Sequence, residues 1–346
     1  MPMKVVDLRS DTVTHPTPAM WKAMALAEVG DDVLGDDPTV QRLEALAAER
    51  LGTEAALFVA SGTMGNLVAL LTHCGRGDEV ILGDKSHTIV YEQGGMAALG
   101  GIMPHPLPNR PDGTLRLEDI AGAIRGDNIH FPRTRLICLE NTHNNCFGVP
   151  LTAEYTAAVV ALARRYGLKV HIDGARIFNA AAALEVDVRE LVRGVDSVTF
   201  CLSKGLCAPV GSVLCGSAAF IAEARRNRKV LGGGMRQVGI LAAAGIVALQ
   251  EMTLRLDADH ACAQCLAEGL AAIPGIEVQP VYTNMVYFRL ADSVTLTADD
   301  VAAGLKERGV LILPRDARSF RAVTHYWIDA DAVDQALEAV RAVLTG

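Results

Sequence analysis

The sequence predicts an α/β fold, a mostly parallel sheet with helices on both faces, joined to a smaller α+β C-terminal domain. Three observations carry that expectation. Half of the 346 residues are hydrophobic, only 5% are aromatic and 32 are glycine, which suits an α/β enzyme core and not a disordered or fibrous chain. Short apolar runs at 55–60, 79–83, 135–139, 168–172 and 198–202 alternate with stretches of helical spacing, the rhythm of parallel strands joined by crossover helices. Each run also ends in a polar cluster, on the edge where open parallel sheets bind ligands. The expected division is residues 1–250 for the large domain with an N-terminal arm and residues 251–346 for the small one.

Composition excludes several classes. Lys plus Arg is 32 against 40 for Asp plus Glu, a formal charge of −8, which argues against a nucleic-acid partner. The longest uncharged apolar run, 238–249, is too short to span a bilayer. Residues 1–10 lack the apolar core of a signal peptide, so a cytoplasmic location is expected. The eight cysteines then read as reduced, mostly buried thiols. Cys262 and Cys265 form a C-x-x-C within a helical stretch but have no second pair at zinc-site spacing, and no metal is expected there.

Taken in order, DLRSDTVTHPTPAM opens as an extended arm feeding a helix near Met20, with Ser10, Asp11 and Thr12 either capping a turn or decorating a site. Asp37 caps the next helix and Pro38 takes its first position, ahead of Val40, Leu43, Leu46 and Ala47 at helical spacing. The apolar run 55–60 leads into Ser61-Gly62-Thr63-Met64-Gly65-Asn66 and a helix. A strand, a turn of small residues and a helix N-terminus make an anion site: free N–H groups and the helix dipole face the turn, and Gly62 admits close approach. The spacing is neither the P-loop nor the dinucleotide fingerprint.

His87 follows the run 79–83, and Asp112-Gly113 marks a turn before a short helix over 117–124. The run 135–139 ends in Glu140-Asn141-Thr142-His143-Asn144. A helix over 152–166 precedes the run 168–172, which ends in Asp173-Gly174-Ala175-Arg176. His171 and Asp173 share one strand face, yet this H-x-D has no third ligand at suitable spacing. The better reading sets Asp173 toward a cationic group and Arg176 toward an anionic one. The stretch VDSVTFCLSKGLCAPVG is a buried strand ending at Lys204. An ammonium is costly to bury, so the amine either reaches a cleft or becomes a neutral nucleophile, unless it is a solvated loop lysine. Gly205 and a strand beginning near Val210 are expected to keep room beside it. Beyond Arg236 come a long helix over 238–268 with a break near Asp257, a turn at Pro274-Gly275, and an alternation of strand (NMVYFRL), helix (298–308), strand (310–313), strand (RAVTHYWI) and closing helix (331–344).

Set together, DLRSDTVT, GDDVLGDDPTV, SGTMGNLVALL, the stretch from His87 to Gly95, LENTHN, HIDGARIFNAA, CLSKGLCAPVGS and GGGMRQVGILAAAG resemble the low-specificity L-threonine aldolases over nearly the whole chain. These are pyridoxal-phosphate enzymes of the aspartate aminotransferase type, fold type I. The resemblance implies a Schiff base on Lys204, Asp173 beneath the pyridine nitrogen, His87 stacked over the ring, and phosphate contacts from Gly62 and Thr63. It also implies that Arg236 reaches the phosphate of a neighbouring subunit. Arg321, with Arg176 and Ser10, would grip the substrate carboxylate, Arg176 serving the cofactor region as well. His143 would contact the substrate hydroxyl. The assembly it implies is a homo-oligomer, a dimer of dimers with the active site at the subunit interface, acting on a small amino acid.

The chemistry agrees on its own grounds. Breaking the Cα–Cβ bond of a β-hydroxy amino acid leaves an electron pair on Cα, which needs a conjugated sink. The β-hydroxyl must lose its proton, and His87 and His143 are the candidate bases. The same residue types also serve an amino-acid racemase or a β-eliminating lyase; a cofactor-binding protein without catalysis and a metal-dependent hydrolase built on His171 and Asp173 are the remaining alternatives. Two departures from the family pattern, Leu34 in place of a tyrosine and the bulky Asn145-Cys146-Phe147 loop, predict an altered aldehyde preference, toward larger or aromatic β-substituents.

Overall fold

The structure, a computed structural model, describes residues 5–345; the first four residues, part of the stretch read as lacking a signal peptide, lie outside it. Eight strands precede the C-terminal part: β1 (Val6–Asp7), β2 (Ala55–Val59), β3 (Glu79–Gly83), β4 (Met103–Leu107), β5 (Thr134–Glu140), β6 (Lys169–Asp173), β7 (Ser197–Cys201) and β8 (Ser212–Gly216). Seven of them form one sheet in the order β2-β8-β7-β6-β5-β3-β4. All neighbours are parallel except β8, which runs antiparallel to both β2 and β7. Two reversals restore the direction, so β2 runs with β3, β5, β6 and β7. The carboxyl ends of these five strands therefore share one edge, the edge on which the polar clusters were expected. Strands β3, β7 and β8 are buried along their whole length, as expected of mostly apolar strands in a sheet covered on both faces.

Local chemistry starts the helices where the sequence says. Thr17 accepts from the amide of Met20 with Pro18 at the first position, Asp37 accepts from the amides of Thr39 and Val40 ahead of Pro38, and Ser61 accepts from the amide of Met64. The long helix after Arg236 is broken, as expected, but slightly earlier: Gly239–Gln250, a 3-10 turn at Met252–Leu254, then Leu256–Ala271. Among the described residues no single helix is long and apolar enough to cross a membrane; this bent pair, angled at 58°, passes by length and composition only, and the first of its helices packs in the core beside Leu43 and Leu202.

A second sheet, order β12-β13-β10-β9, uses β9 (Ile276–Val278), β10 (Met285–Leu290), β12 (Leu313–Pro314) and β13 (Ser319–Val323), while β11 (Val310–Leu311) pairs in parallel with β1. Two expectations are corrected here. The single strand over 310–313 is two short ones that pair with different partners, because the backbone turns from β1 toward β13. RAVTHYWI is a strand only to Val323; beyond it Thr324 donates to the carbonyl of Asp259 and a ring nitrogen of His325 meets the carbonyl of Asp7. Val6 and Leu8 of the N-terminal arm pack in the same apolar cluster as Phe288, Phe320 and Leu337, so the arm ties the C-terminal sheet to the segment that carries Ser10 and Asp11. All eight cysteines are free, and six of them are buried.

Candidate active site

The shared sheet edge opens on a cavity of about 500 Å³ lined by Ser10, His87, Arg176, Lys204 and Arg321, with Tyr91, Asn144 and Arg315 on its walls. Five of the ten residues singled out from sequence thus meet in one place although they span more than 300 positions of the chain. Lys204 follows β7 and its carbonyl accepts from the hydroxyl of Thr14 at 3.0 Å. Among the described residues its Nζ makes no hydrogen bond or ion pair, which leaves a nucleophilic atom free to face the cavity. Gly205 does not supply the room once expected: a Cβ there would meet Leu256 at 3.5 Å, away from the lining.

Asp173, at the end of β6, is 3% exposed. Its two oxygens accept from the Asn66 amide at 2.9 Å and from the backbone N–H of Ala175 at 3.2 Å. The other hydrogen of the Asn66 amide goes to Glu92 at 2.8 Å, and Glu92 takes Nδ1 of His87 at 2.8 Å. His87, Glu92 and Asp173 hold ligand-capable atoms within 4.8 Å of one another, but an amide donor already points at both carboxylates. His171 meets Ser197 with one ring nitrogen and Asn66 with the other, so the H-x-D pair keeps no free histidine nitrogen for a metal.

Electrostatics set the protonation of His87. Burial pushes its pKa down, but the Glu92 hydrogen bond and the charges of Asp173 and Glu92 outweigh burial and raise it above the ordinary histidine value. A raised folded pKa stabilises below the ordinary value of about 6.5 and stops doing so as pH climbs through the raised value. Glu92→Gln removes the main support, so the His87 ring is expected to titrate at lower pH in that variant when followed by NMR; an unmoved titration would show that Glu92 does not hold the proton.

Three arginines face the cavity in different states. Arg176 is bound on two nitrogens by Asp11, at 2.6 and 2.5 Å, with both side chains buried. Asp11 is held well below the usual carboxylate range: burial opposes this, and the charge and hydrogen bonds of Arg176 win. Its contribution is therefore complete above an ordinary carboxylate pKa of about 4 and is lost as pH falls toward the depressed value. Removing one member of a buried pair leaves the other charge uncompensated, so Asp11→Asn is expected to cost about 3 kcal/mol at neutral pH, read from the denaturant midpoint, and less in acid. Arg321 has a neutral partner, Asn144 Oδ1 at 2.6 Å, and the carbonyl of Arg9 at 3.4 Å. Burial, with the charge of Arg176 beside it, depresses its pKa, and among the described residues no carboxylate pairs with it. Arg315 bonds Asn145 at 3.0 Å and lies over the Tyr287 ring at 5.4 Å.

The remaining sequence-derived residues stand elsewhere. Gly62 and Thr63 open the helix Gly62–His73 just past β2, where the Met64 and Gly65 amides are taken by Ser61 and the first two are left for an anion. A Cβ on Gly62 would strike Cys201 Sγ at 2.9 Å, so this glycine is demanded by packing of the turn on β7 as much as by a ligand. Arg236 lies on the exposed surface, bound to Asp31 at 2.9 Å. Leu34, 71% exposed, lines no part of the cavity. His143 is not a lining residue either: its ring is buried with neither nitrogen hydrogen-bonded, and its backbone pairs with Val149. Asn145 does reach the mouth, accepting from Tyr91 at 3.1 Å and from Arg315. Sequence reasoning missed Asn66, Glu92, Tyr91, Asn144 and Arg315, and it missed the role of Glu140, which accepts from the backbone amides of His87 and Asn144 at 2.7 and 2.8 Å. Glu140, Asn144 and Asn66 carried a signal, their place in polar clusters directly after apolar runs; Glu92, Tyr91 and Arg315 carried none.

A helix N-terminus for a phosphate, a buried acid, Asp173, joined through the Asn66 amide to Glu92 and His87, and a lysine unpartnered among the described residues share one sheet edge, fit pyridoxal phosphate and define an enzyme of fold type I. The family model described as "Beta-eliminating lyase" matches residues 7–293. A low-specificity L-threonine aldolase of Arabidopsis thaliana is 52% identical over 351 residues, covering 100% of this chain and 98% of that protein. Among solved structures, a Leishmania major threonine aldolase superposes with a TM-score of 0.82 at 21% identity, covering 98% of this chain and 99% of that one. SPT solved with PLP superposes at 0.75 and 19% identity, covering 98% and 87%. The chain belongs to the low-specificity L-threonine aldolase family, and it is a lyase.

Proposed function

We propose that the protein cleaves L-threonine, L-allo-threonine and other β-hydroxy-α-amino acids between Cα and Cβ, releasing glycine and an aldehyde. The observation that carries this reading is a half-buried guanidinium, Arg321, which among the described residues has no carboxylate partner and lines the same cavity as the free amine of Lys204 and the imidazole of His87. A substrate carboxylate completes Arg321 in a fork geometry, helped by Ser10 and by Arg176, which Asp11 holds in place. Bound pyridoxal phosphate supplies the sink for the electron pair left on Cα. Lys204 would hold the cofactor through its amine, Asp173 would keep the proton on its ring nitrogen, and the amides of Gly62 and Thr63 would hold its phosphate. The β-hydroxyl proton passes to Nε2 of His87, directly or through one water, as the C=O bond of the aldehyde forms and the Cα–Cβ bond breaks. Two features support His87 over His143 in this role: it lines the cavity, and its Nδ1 is engaged by Glu92, leaving Nε2 to accept.

The assembly proposed is a cytoplasmic homo-oligomer, a dimer of dimers, in which Leu34 and Arg236 serve a neighbouring subunit's site; their exposure on a single chain supports this. Incubation of the purified holoenzyme with L-threonine is expected to give glycine and acetaldehyde in equal amounts. Ammonia with 2-oxobutyrate would instead mark a β-eliminating lyase, and D-threonine a racemase.

A further inference from the structure

The hydrogen bonds that reach Asp173 do not stop at Asn66. They continue through His171 and Ser197 to His73, across the sheet from β6 to β7 and back to the helix Gly62–His73. The members are buried except His73, which is half-buried and stacked on Phe220 at 4.5 Å.

The proton positions follow from the two carboxylates. Asn66 must turn its NH2 toward Glu92 and Asp173, at 2.8 and 2.9 Å, because the reverse would set an amide oxygen against both acids. Its Oδ1 then faces Nε2 of His171 at 3.2 Å and requires a proton from it. Burial pushes the His171 pKa down to about 4, so the ring is neutral and Nδ1 is bare. Nδ1 accepts from the Ser197 hydroxyl at 2.8 Å. With that proton given, Ser197 Oγ accepts from Nε2 of His73 at 2.8 Å. Reversing any one member sets two lone pairs or two hydrogens face to face in a dry interior and leaves a buried polar group unpaired. Every hydrogen bond in the chain therefore points toward the acids.

Asn66 and His73 are seven residues apart, two helical turns, so they share one face of their helix. His171 fastens that face to β6 and Ser197 fastens it to β7. The N-terminus of the same helix presents Gly62 and Thr63, and the end of the same β6 presents Asp173. We propose that Asn66, His73, His171 and Ser197 form a clamp that fixes the helix against β6 and β7 and so sets the spacing between the phosphate turn and the ring-nitrogen acid. They are positioning residues, and the inference rests on the assignment of Gly62, Thr63 and Asp173 to the two ends of the cofactor. A chain of neutral groups suits this task, since it directs donors at Asp173 without placing a counter-ion beside it.

Nitrogen-15 NMR of histidine-labelled holoenzyme tests the proton assignment. The His171 ring is expected to stay neutral, with its proton on Nε2, across about pH 5–8, where an ordinary histidine titrates. A proton on Nδ1, or a titration in that window, overturns the clamp. Variants test the positioning. Ser197→Ala is expected to turn His171 into a tautomer mixture and to weaken cofactor affinity about tenfold, the order of one buried hydrogen bond lost. His171→Gln, whose amide can donate to Asn66 and accept from Ser197, is expected to retain most of the affinity. Loss of affinity in Asp173→Asn with none in Ser197→Ala overturns the clamp alone. Unchanged affinity in both overturns the clamp together with the placement of Asp173.

Discussion

Lys204→Ala holoenzyme is expected to lose at least about 10³-fold in kcat on L-threonine, the scale at which groups acting in the chemical step contribute, and to lose the visible absorbance of covalently held cofactor. The lysine stands at the end of a wholly buried strand, its carbonyl tied to Thr14, and its amine is unpaired among the described residues. The backbone position is thus fixed without the side chain, so an alanine there leaves the fold intact and removes only the nucleophile. Full folding by circular dichroism with wild-type turnover would show that another amine does the work. Exogenous methylamine is a further readout, because a small amine entering the cavity can restore part of the activity only if the missing group was an amine.

Asp173→Asn is expected to lower kcat by about 10²–10³-fold, the effect of removing one pre-placed electrostatic group from a dry site, with a smaller change in KM. A carboxylate keeps a proton on the pyridine nitrogen and an amide does not. The substitution also places a second amide against Asn66, whose NH2 now meets a neutral oxygen or another NH2. Because Asp173 supports His87 electrostatically, the His87 ring should titrate at lower pH in this variant as well. A kcat near wild type would mean that ring protonation does not limit the reaction.

The sheet edge was legible in the sequence because strand periodicity and strand-terminal polar residues are local properties. Thr63, His87, Asp173 and Lys204 each follow a short strand-like run rich in apolar residues, and that pattern survives folding intact. Strand β4, MPHPL, was not legible: two prolines argue against a strand, and it is tolerated only because β4 pairs on one side, with β3, at the rim of the sheet. The division of 310–313 into two strands and the end of RAVTHYWI at Val323 depend on which chain each backbone group meets, which no local pattern contains. The same reason hid the roles of Asn66 and Glu92. Each is an ordinary polar residue on or near a helix, and its importance comes from a partner 107 or 26 positions away. His143, a histidine in the expected cluster, is buried with both ring nitrogens unbonded and is not among the residues that line the cavity, an environment that no local pattern contains. Leu34 and Arg236 carry sequence signals that a single chain leaves on its surface.

Among the described residues Lys204 is the one lysine that lines the cavity at the ends of β3, β5, β6 and β7, and its amine is the one expected to carry the cofactor. Borohydride reduction of the holoenzyme followed by peptide mapping tests it most directly. A phosphopyridoxyl group on Lys204 alone is expected, and modification of Lys85, Lys229 or any other lysine in its place would contradict this role.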